Sequence, residues 1–159
     1  MNKIRNPYAG MEEQGYNCFA CCPTNPFGLK MEFYEDGDDI VCFWKPGKNF
    51  QSWINTLHGG IQATLLDEVG GWVVTRKLQT TGMTTHLSMR YRNPVPVGED
   101  VILEIRGRIK EMKRNFAFIE AEIRHEGKVC SSCQMTYFTF SKEVAENDFL
   151  FKGCPLEEE

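Results

Sequence analysis

The sequence predicts an α+β fold in which an antiparallel sheet of five or six strands wraps around one long helix. A proline-free segment from Gly59 to about Leu78 carries apolar residues on every side, which is typical of a buried helix. Six other segments are rich in β-branched and aromatic residues and are bounded by turn residues, two before the helix and four after it. The chain of 159 residues is the length of one domain.

The two strands before the helix are predicted to form a hairpin. The segment Leu29–Tyr34 (LKMEFY) alternates well enough for a strand, and Ile40–Trp44 (IVCFW) is β-branched and aromatic. Between them lies the acidic turn sequence EDGDD. Residues 45–55 are predicted to form a loop that leads to the helix.

Four extended segments follow the helix. They are Met83–Val95, Val101–Met112, Asn115–Gly127 and Lys128–Phe140. The second and third are predicted to pair as a long hairpin that turns near Lys113–Arg114. The strands and the helix together define a domain over residues 29–140.

The two ends of the chain show no clear periodicity. Residues 1–28 are polar and rich in glycine, proline and asparagine, which predicts an irregular lead-in. Residues 141–159 are predicted to form a loose C-terminal tail.

Composition narrows the classes of partner. The net charge is −4 and no basic stripe with interleaved aromatic residues is present, so nucleic acid is not an expected partner. No segment reaches the roughly 20 apolar residues of a membrane-spanning helix, and the first residues lack the apolar core of a secretory signal. The seven cysteines, an odd number, are then expected to be free thiols in the cytoplasm.

The central helix carries two adjacent acids. In TLHGGIQATLLDE, Asp67 and Glu68 follow an apolar run. A buried carboxylate is costly, so each acid needs either a chemical role or a polar partner, and the residues alone leave both roles open for Asp67. Because Glu68 lies about 100° around the helix from Asp67, the two cannot share one pocket. We interpret Glu68 as structural or interfacial, with the working acid as the alternative.

The segment LHGGIQATLLDEVGG resembles the helix motif of the hotdog-fold acyl-CoA thioesterases, in particular the PaaI-like group. That motif has HGG, a leucine-rich turn and an acid nine positions after the histidine, here His58 and Asp67. The sequence CFACCPTNPFGLKMEF resembles an N-terminal motif of part of this family. The resemblance covers residues 17–140. It implies a hotdog fold, an acyl-CoA substrate, a homodimer or dimer of dimers, and thioester hydrolysis that uses neither a metal nor an organic cofactor.

The helix start is predicted to polarise the thioester carbonyl. Unpaired N–H groups and the helix dipole favour a developing oxyanion there, and glycines at Gly59 and Gly60 allow close approach. His58 could assist or hold the preceding loop. The alternative is that the glycines only shape a tight helix entry.

The family pattern favours Asp67 as the general base that activates water or as the nucleophile. Asp67 lies roughly 10.5 Å along the helix axis from Gly60, whereas a general base must reach within about 3 Å of its target or act through one water. The carbonyl donors and the carboxylate should therefore come from different subunits of a dimer.

Other site residues follow from position in the motif. In the family a hydroxyl early in the strand after the helix places the attacking water, which corresponds to Thr84, or to Thr85 if the register shifts. The family often has an amide six residues before the histidine, where this chain has Ser52. Asn55 could replace that amide, as could Gln51, and Trp72 is a candidate wall of the acyl pocket.

Two CxxC pairs resemble zinc-ligand spacing. Residues three apart in a strand face opposite sides, which argues against Cys130-x-x-Cys133 as a ligand pair. The cluster of Cys18, Cys21 and Cys22 is interpreted as packing in the N-terminal motif, with metal binding as the minor alternative, and no metal is predicted. The cationic residues after the helix are interpreted mainly as a solvated sheet face; they are Arg90, Arg92, Arg106, Arg108, Lys110, Lys113 and Arg114.

Two other functions stay open. A hotdog dehydratase or hydratase would need a histidine and an acid arranged for removal of an α-proton, usually with the histidine in a proline-containing loop. A non-catalytic acyl-CoA binding protein is the second, and the departure at Ser52 leaves it open.

Overall fold

The computed structural model describes all 159 residues. Seven strands form one antiparallel sheet: β1 (Asn2–Lys3), β2 (Tyr34–Asp36), β3 (Asp39–Trp44), β4 (Gly82–Tyr91), β5 (Leu103–Lys113), β6 (Phe116–His125) and β7 (Lys128–Thr139). Their spatial order is β1-β2-β3-β5-β6-β7-β4. The two helices are α1 (Gly59–Leu78) and α2 (Lys142–Phe149). The predicted antiparallel sheet with one long helix is confirmed, with one strand more than expected because the first residues pair with β2.

Helix α1 begins and ends where its sequence predicts. The side chain of His58 caps its first turn, and Gln79 ends it in the left-handed conformation with φ 52°. The helix packs against β3, β4, β5, β6 and β7. Its fully buried residues Leu65, Leu66, Val69 and Val73 form the centre of the core.

The first predicted strand is wrong in its boundaries. The ladder begins at Tyr34, and Leu29 and Met31 instead donate backbone hydrogen bonds to Phe19 and Ala20 of the lead-in. Both side chains still point into the core, being 4% and 3% exposed. The alternation of apolar residues was therefore a true burial signal, but the partner is an irregular segment instead of a strand.

The strands after α1 are close to prediction. A residue with positive φ, Arg114 at 53°, makes the turn between β5 and β6, as expected. Strand β4 ends at Tyr91 instead of Val95, because the N–H groups of Arg92 and Asn93 both turn to the carbonyl of Cys130.

The prediction of a loose C-terminal tail is wrong. Ser141 caps α2 by accepting a hydrogen bond from Val144 N–H at 3.2 Å. After α2, Phe151 and Cys154 are 6% and 1% exposed, so the tail belongs to the core. Because α2 is short and polar, its packing depends on these later apolar residues, which have no periodic pattern of their own.

Strand β4 is an edge of the sheet with one free side. Two of its apolar residues, Met83 and Tyr91, are exposed, and in the loop before α1 Trp53 and Ile54 are 84% and 85% exposed. No helix in the structure has the length and apolar character needed to cross a membrane.

Candidate active site

Asp67 and Thr84 are in direct contact. The Thr84 hydroxyl donates a hydrogen bond of 2.6 Å to Asp67 Oδ1. Asp67 lies in the middle of α1, and Thr84 is the third residue of β4, so the contact joins the helix to the edge strand. Asp67 Oδ2 accepts no hydrogen bond within the chain.

A β-bulge selects Thr84 over its neighbour. The register of β4 against β7 shifts between Thr84 and His86. The Thr85 hydroxyl donates to the carbonyl of Thr136 at 3.1 Å and does not reach Asp67. Of the two candidate hydroxyls, the structure therefore brings only Thr84 to the acid.

Two side chains from β7 border the acid, and sequence reasoning missed both. Tyr137 lies opposite Thr84 in the ladder, and its pKa is raised by burial and by the charge of Asp67. Burial and the charge of Asp67 also raise the pKa of Cys133 to about 12, so this thiol stays neutral. The alternation of β7 would have placed both residues on the helix-facing side, because they lie four apart on one strand.

The start of α1 differs from expectation. His58 Nδ1 accepts a hydrogen bond of 2.8 Å from Gly60 N–H, so that donor is already used. The N–H groups of Gly59 and Ile61 donate no hydrogen bond within the chain and stay available. Because Nδ1 accepts, the neutral imidazole carries its proton on Nε2.

The two glycines at the helix start sit against side chains. A Cβ at Gly60 would lie 3.0 Å from His58 Nδ1, and one at Gly59 would lie 3.4 Å from the ring of Tyr91. The hydroxyl of Tyr91 also donates to the carbonyl of Gly59 at 2.8 Å. Glycine here therefore serves the packing of the helix entry, whether or not it also admits a ligand.

The structure does not bring the two halves of the predicted site together within one chain. Helix α1 is continuous, so Gly59 and Asp67 lie roughly 12 Å apart along its axis. No single carbonyl group can contact both.

The predicted amide-bearing residues lie in an exposed loop before α1. Gln51 Oε1 accepts a hydrogen bond of 3.3 Å from Asn55 N–H, and Asn55 itself has a positive φ of 60°. Ser52 N–H donates to the carbonyl of Thr56 at 2.8 Å. The backbone of Ser52 and Asn55 thus shapes the turn, and the oxygen of Gln51 is used in holding it.

Trp72 borders a pocket of about 440 Å³ between α1, the lead-in and the end of α2. Its ring stacks on Phe33 with centroids 4.4 Å apart, and Nε1–H donates to Glu68 Oε1 at 3.0 Å. The wall opposite α1 includes Tyr8, Tyr16 and Phe149, which sequence reasoning missed because the ends of the chain carried no pattern.

Glu68 faces this pocket, away from Asp67. Burial raises its pKa to about 7. The Cys18 thiol lies 3.7 Å from Glu68 Oε1, and a hydrogen bond from Cys21 lowers the pKa of Cys18 to about 6. The cysteine cluster of the N-terminal motif and the second acid of the helix are therefore one group of side chains.

The cationic residues lie on a different surface. A concavity of about 720 Å³ on the sheet contains Arg90, Arg92, Arg106, Arg108 and Lys110, but not Asp67. Several of these charges are neutralised: Asp39 pairs with both Arg106 and Arg108 at 2.7 Å.

The sequence around this site is similar to that of known thioesterases. Residues 54–131 match the family model of the thioesterase superfamily. Human acyl-coenzyme A thioesterase 13 is 24% identical over 88 residues, which cover 55% of this chain and 61% of the human protein. Acyl-coenzyme A thioesterase THEM4 of Xenopus laevis is 29% identical over 87 residues, covering 54% of this chain and 37% of that protein. The matched region thus spans less than two thirds of these relatives.

Solved structures show which fold the chain shares. A hypothetical thioesterase protein with coenzyme A from Streptococcus pneumoniae superposes with a TM-score of 0.64 at 23% identity, covering 70% of this chain and 90% of that one. Variants of that protein with one aspartate or one threonine changed to alanine superpose equally well. This chain therefore has the hotdog fold. Its residues 54–131, just under half of the chain, are similar to the thioesterase superfamily.

Proposed function

We propose that this protein hydrolyses acyl-CoA thioesters to the free acid and CoA, with Asp67 as the acid that acts on water or on the acyl carbon. The observation that carries the proposal is the 2.6 Å contact between Asp67 and Thr84. Support comes from the similarity of residues 54–131 to thioesterases and from relatives named acyl-CoA thioesterases.

In this mechanism Thr84 holds one carboxylate oxygen and leaves the other for water. Thr84 Oγ1 donates to Asp67 Oδ1, so Oδ2 can accept the proton of the attacking water. The hydroxyl oxygen of Thr84 is at the same time a second acceptor for that water. If Asp67 attacks the carbonyl carbon directly, the same contact orients it, and water then hydrolyses the resulting anhydride.

The oxyanion is proposed to bind at the start of α1 in the partner subunit. The free N–H groups of Gly59 and Ile61 are the donors there, aided by the helix dipole. Gly60 acts indirectly, because its N–H is bound by His58. His58 retains Nε2–H as a donor for the thioester oxygen.

A site that takes Asp67 from one subunit and the oxyanion donors from another requires a homodimer. The free edge of β4 carries Thr84, and Tyr91 of the same strand contacts Gly59, so one surface borders both halves of the site. The exposed Trp53 and Ile54 lie in the loop that leads to the helix start, where a partner subunit would cover them. Pairing of dimers into a tetramer remains a prediction.

The substrate is proposed to be an acyl-CoA. The structure of the similar pneumococcal protein contains coenzyme A, the product of such a reaction. Trp72 and the apolar part of the 440 Å³ pocket are the candidate wall for an aromatic or medium-chain acyl group. Ser52 and Asn55, in the exposed loop, remain candidate contacts for the CoA arm. The cytoplasm is the proposed compartment, supported by seven free cysteines.

The proposal is tested by CoA release from a panel of aryl- and alkyl-CoA thioesters, followed by chromatography because the seven free thiols react with thiol reagents. Asp67→Asn should lose most of the wild-type rate while remaining folded and dimeric. Glu68→Gln is the comparison variant, because Glu68 is the other acid of the helix and lines the pocket at Trp72. Glu111→Gln, which changes an exposed acid outside that pocket, is the control. Loss of activity in Glu68→Gln alone would reverse the assignment, and binding of CoA esters without release would establish an acyl-CoA binding protein.

A further inference from the structure

The lead-in and helix α1 bring three metal-ligating side chains together outside the Asp67 site. Cys18 Sγ, Cys21 Sγ and a carboxylate oxygen of Glu68 all lie within 4.8 Å of one another. We propose that Cys18, Cys21 and Glu68 bind one zinc-class divalent cation that fastens the lead-in to the central helix.

The spacing suits a small tetrahedral ion. With zinc–sulfur bonds of about 2.3 Å and zinc–oxygen bonds of about 2.0 Å, two ligand atoms on one zinc lie roughly 3.5–3.8 Å apart. Cys18 Sγ and Glu68 Oε1 are 3.7 Å apart. Only a small contraction is needed for Cys21 to complete a three-ligand set.

The donor types select the metal. Two thiolates favour zinc, or cobalt as its substitute, over magnesium and calcium, which prefer oxygen ligands. One carboxylate beside two thiolates gives a net charge of −1 around a divalent ion, and the buried Cys21 thiol would release its proton when the ion binds.

The surrounding hydrogen bonds already orient the ligands. Trp72 Nε1–H donates to Glu68 Oε1 at 3.0 Å, and Cys21 N–H donates to Cys18 Sγ at 3.4 Å. Such outer partners fix the direction of ligating atoms in metal sites. The Tyr16 hydroxyl lies 3.1 Å from Cys21 Sγ and can donate to that sulfur once it is a thiolate.

The site has an entry path and an open coordination position. All three side chains line the 440 Å³ pocket beside Trp72, so a metal can enter and a water can supply the fourth ligand. The ion would lie apart from the Asp67–Thr84 pair, but in the same pocket as the candidate acyl wall at Trp72, so it would form part of the lining of that pocket. The proposal revises the expectation, drawn from the N-terminal motif, that these thiols only pack.

The direct test is metal uptake by the reduced, intact protein. After removal of metals with a chelator, zinc titration should saturate at one ion per chain and raise the midpoint of thermal unfolding. Cobalt should give the near-ultraviolet absorption of a thiolate–cobalt bond. These readouts do not depend on CoA release, so they stand or fall apart from the hydrolase proposal.

Variants locate the ion. Cys18→Ser and Cys21→Ser should each lower the thiolate–cobalt absorption, the double variant should abolish it, and Glu68→Gln should weaken zinc binding. Trp72→Phe, which keeps the ligands and removes one orienting donor, should weaken it by about tenfold. Cys130→Ser, from the second CxxC pair, is the matched control and should bind as wild type does.

The wild-type measurement can overturn the proposal without any variant. Absence of saturable zinc uptake by fully reduced, folded protein would do so. Zinc uptake by the Cys18→Ser/Cys21→Ser double variant that equals that of the wild-type protein would also overturn the proposal. Isolation of a Cys18–Cys21 disulfide that, after reduction, takes up no metal would identify a redox pair in place of a metal site.

Discussion

The hydroxyl of Thr84 and the carboxylate of Asp67 join the edge strand β4 to the central helix through a 2.6 Å hydrogen bond. The residues are 17 positions apart, and a β-bulge immediately after Thr84 sets which threonine faces the acid. The candidate active site therefore depends on the local register of an edge strand as well as on the helix motif.

Replacement of the hydroxyl tests this relationship. Thr84→Ala should lower kcat for CoA release with a smaller change in KM, because water loses its positioning group. Thr84→Ser should restore most of the rate. Asp67→Asn should cost about 10²–10⁴-fold, the usual range for a general base. Thr85→Ala is the matched control, and an equal loss in Thr85→Ala would contradict the register seen here.

The proposed dimer contact through the loop before α1 predicts an effect of charge at the tip of this loop. Trp53→Glu combined with Ile54→Glu should convert the dimer to a species of one 18.3 kDa chain, measured by light scattering. CoA release should fall with the dimer while the circular dichroism spectrum stays unchanged. Phe27→Glu is the control, because Phe27 is as exposed as Trp53, at 84%. A double variant that remains dimeric would exclude this loop from the interface.

The ion pair between Glu35 and Arg76 predicts a pH-dependent contribution to stability. Hydrogen bonds from Arg76, with help from Lys77, hold the pKa of Glu35 below its ordinary value of 4.5. Because the pKa of Glu35 is lower in the folded state, its charge adds to the free energy of unfolding at any pH above the pKa of the unfolded chain. This contribution is lost as the pH falls through the pKa of the folded state. Glu35→Gln should lower the free energy of unfolding by about 1–3 kcal/mol at pH 7.

The pH dependence of the free energy of unfolding distinguishes the Glu35–Arg76 pair from an exposed ion pair. The difference between wild type and Glu35→Gln in urea denaturation should shrink as the pH falls below 4.5. Glu111→Gln, from an exposed pair with Lys113 at 3.8 Å, should change the free energy of unfolding by about 1 kcal/mol or less. A constant difference from pH 7 to strongly acidic pH would show that charge is not the cause.

Gly28, in the NPFGL part of the N-terminal motif, predicts a steric effect. A Cβ at this position would lie 2.6 Å from the carbonyl oxygen of Phe19, which also accepts a hydrogen bond from Leu29 N–H. Gly28→Ala should therefore lower the free energy of unfolding by about 1–3 kcal/mol and loosen the lead-in. Gly47→Ala, where the nearest atom is 4.0 Å away, is the control. Limited proteolysis of the lead-in measures the loosening, and equal resistance of both variants would contradict it.

The parts of the fold that were predictable are those with a local pattern. The long strands alternate their apolar residues, helix α1 is a long proline-free segment that is apolar on every side, and a turn was expected at Arg114. The segment at Leu29 shows the limit of this reasoning, because alternation reports burial and does not identify the hydrogen-bond partner. The tail with Phe151 and Cys154 carried no period, so its packing against the core was not predictable.

The candidate active site also has features that the sequence predicts and features that it does not. The motif fixed which acid and which threonines to consider, but the choice of Thr84 over Thr85 required the bulge. That His58 occupies the N–H of Gly60 depends on a side-chain rotamer, which sequence does not specify. Cys18 contacts Glu68, a residue 50 positions away. Helix geometry predicts which side of α1 Glu68 faces, but it does not predict which residue packs there.

The length of α1 has a genetic consequence. If the acid and the oxyanion donors of one site belong to different chains, each helix contributes to both sites of the dimer. A chain that lacks Asp67 and a chain with a damaged helix start would each be inactive alone. Mixed in one dimer, they would place both defects in one site and leave the other intact. Two inactive alleles expressed together would then complement each other, whereas a site contained in one chain would show no such rescue.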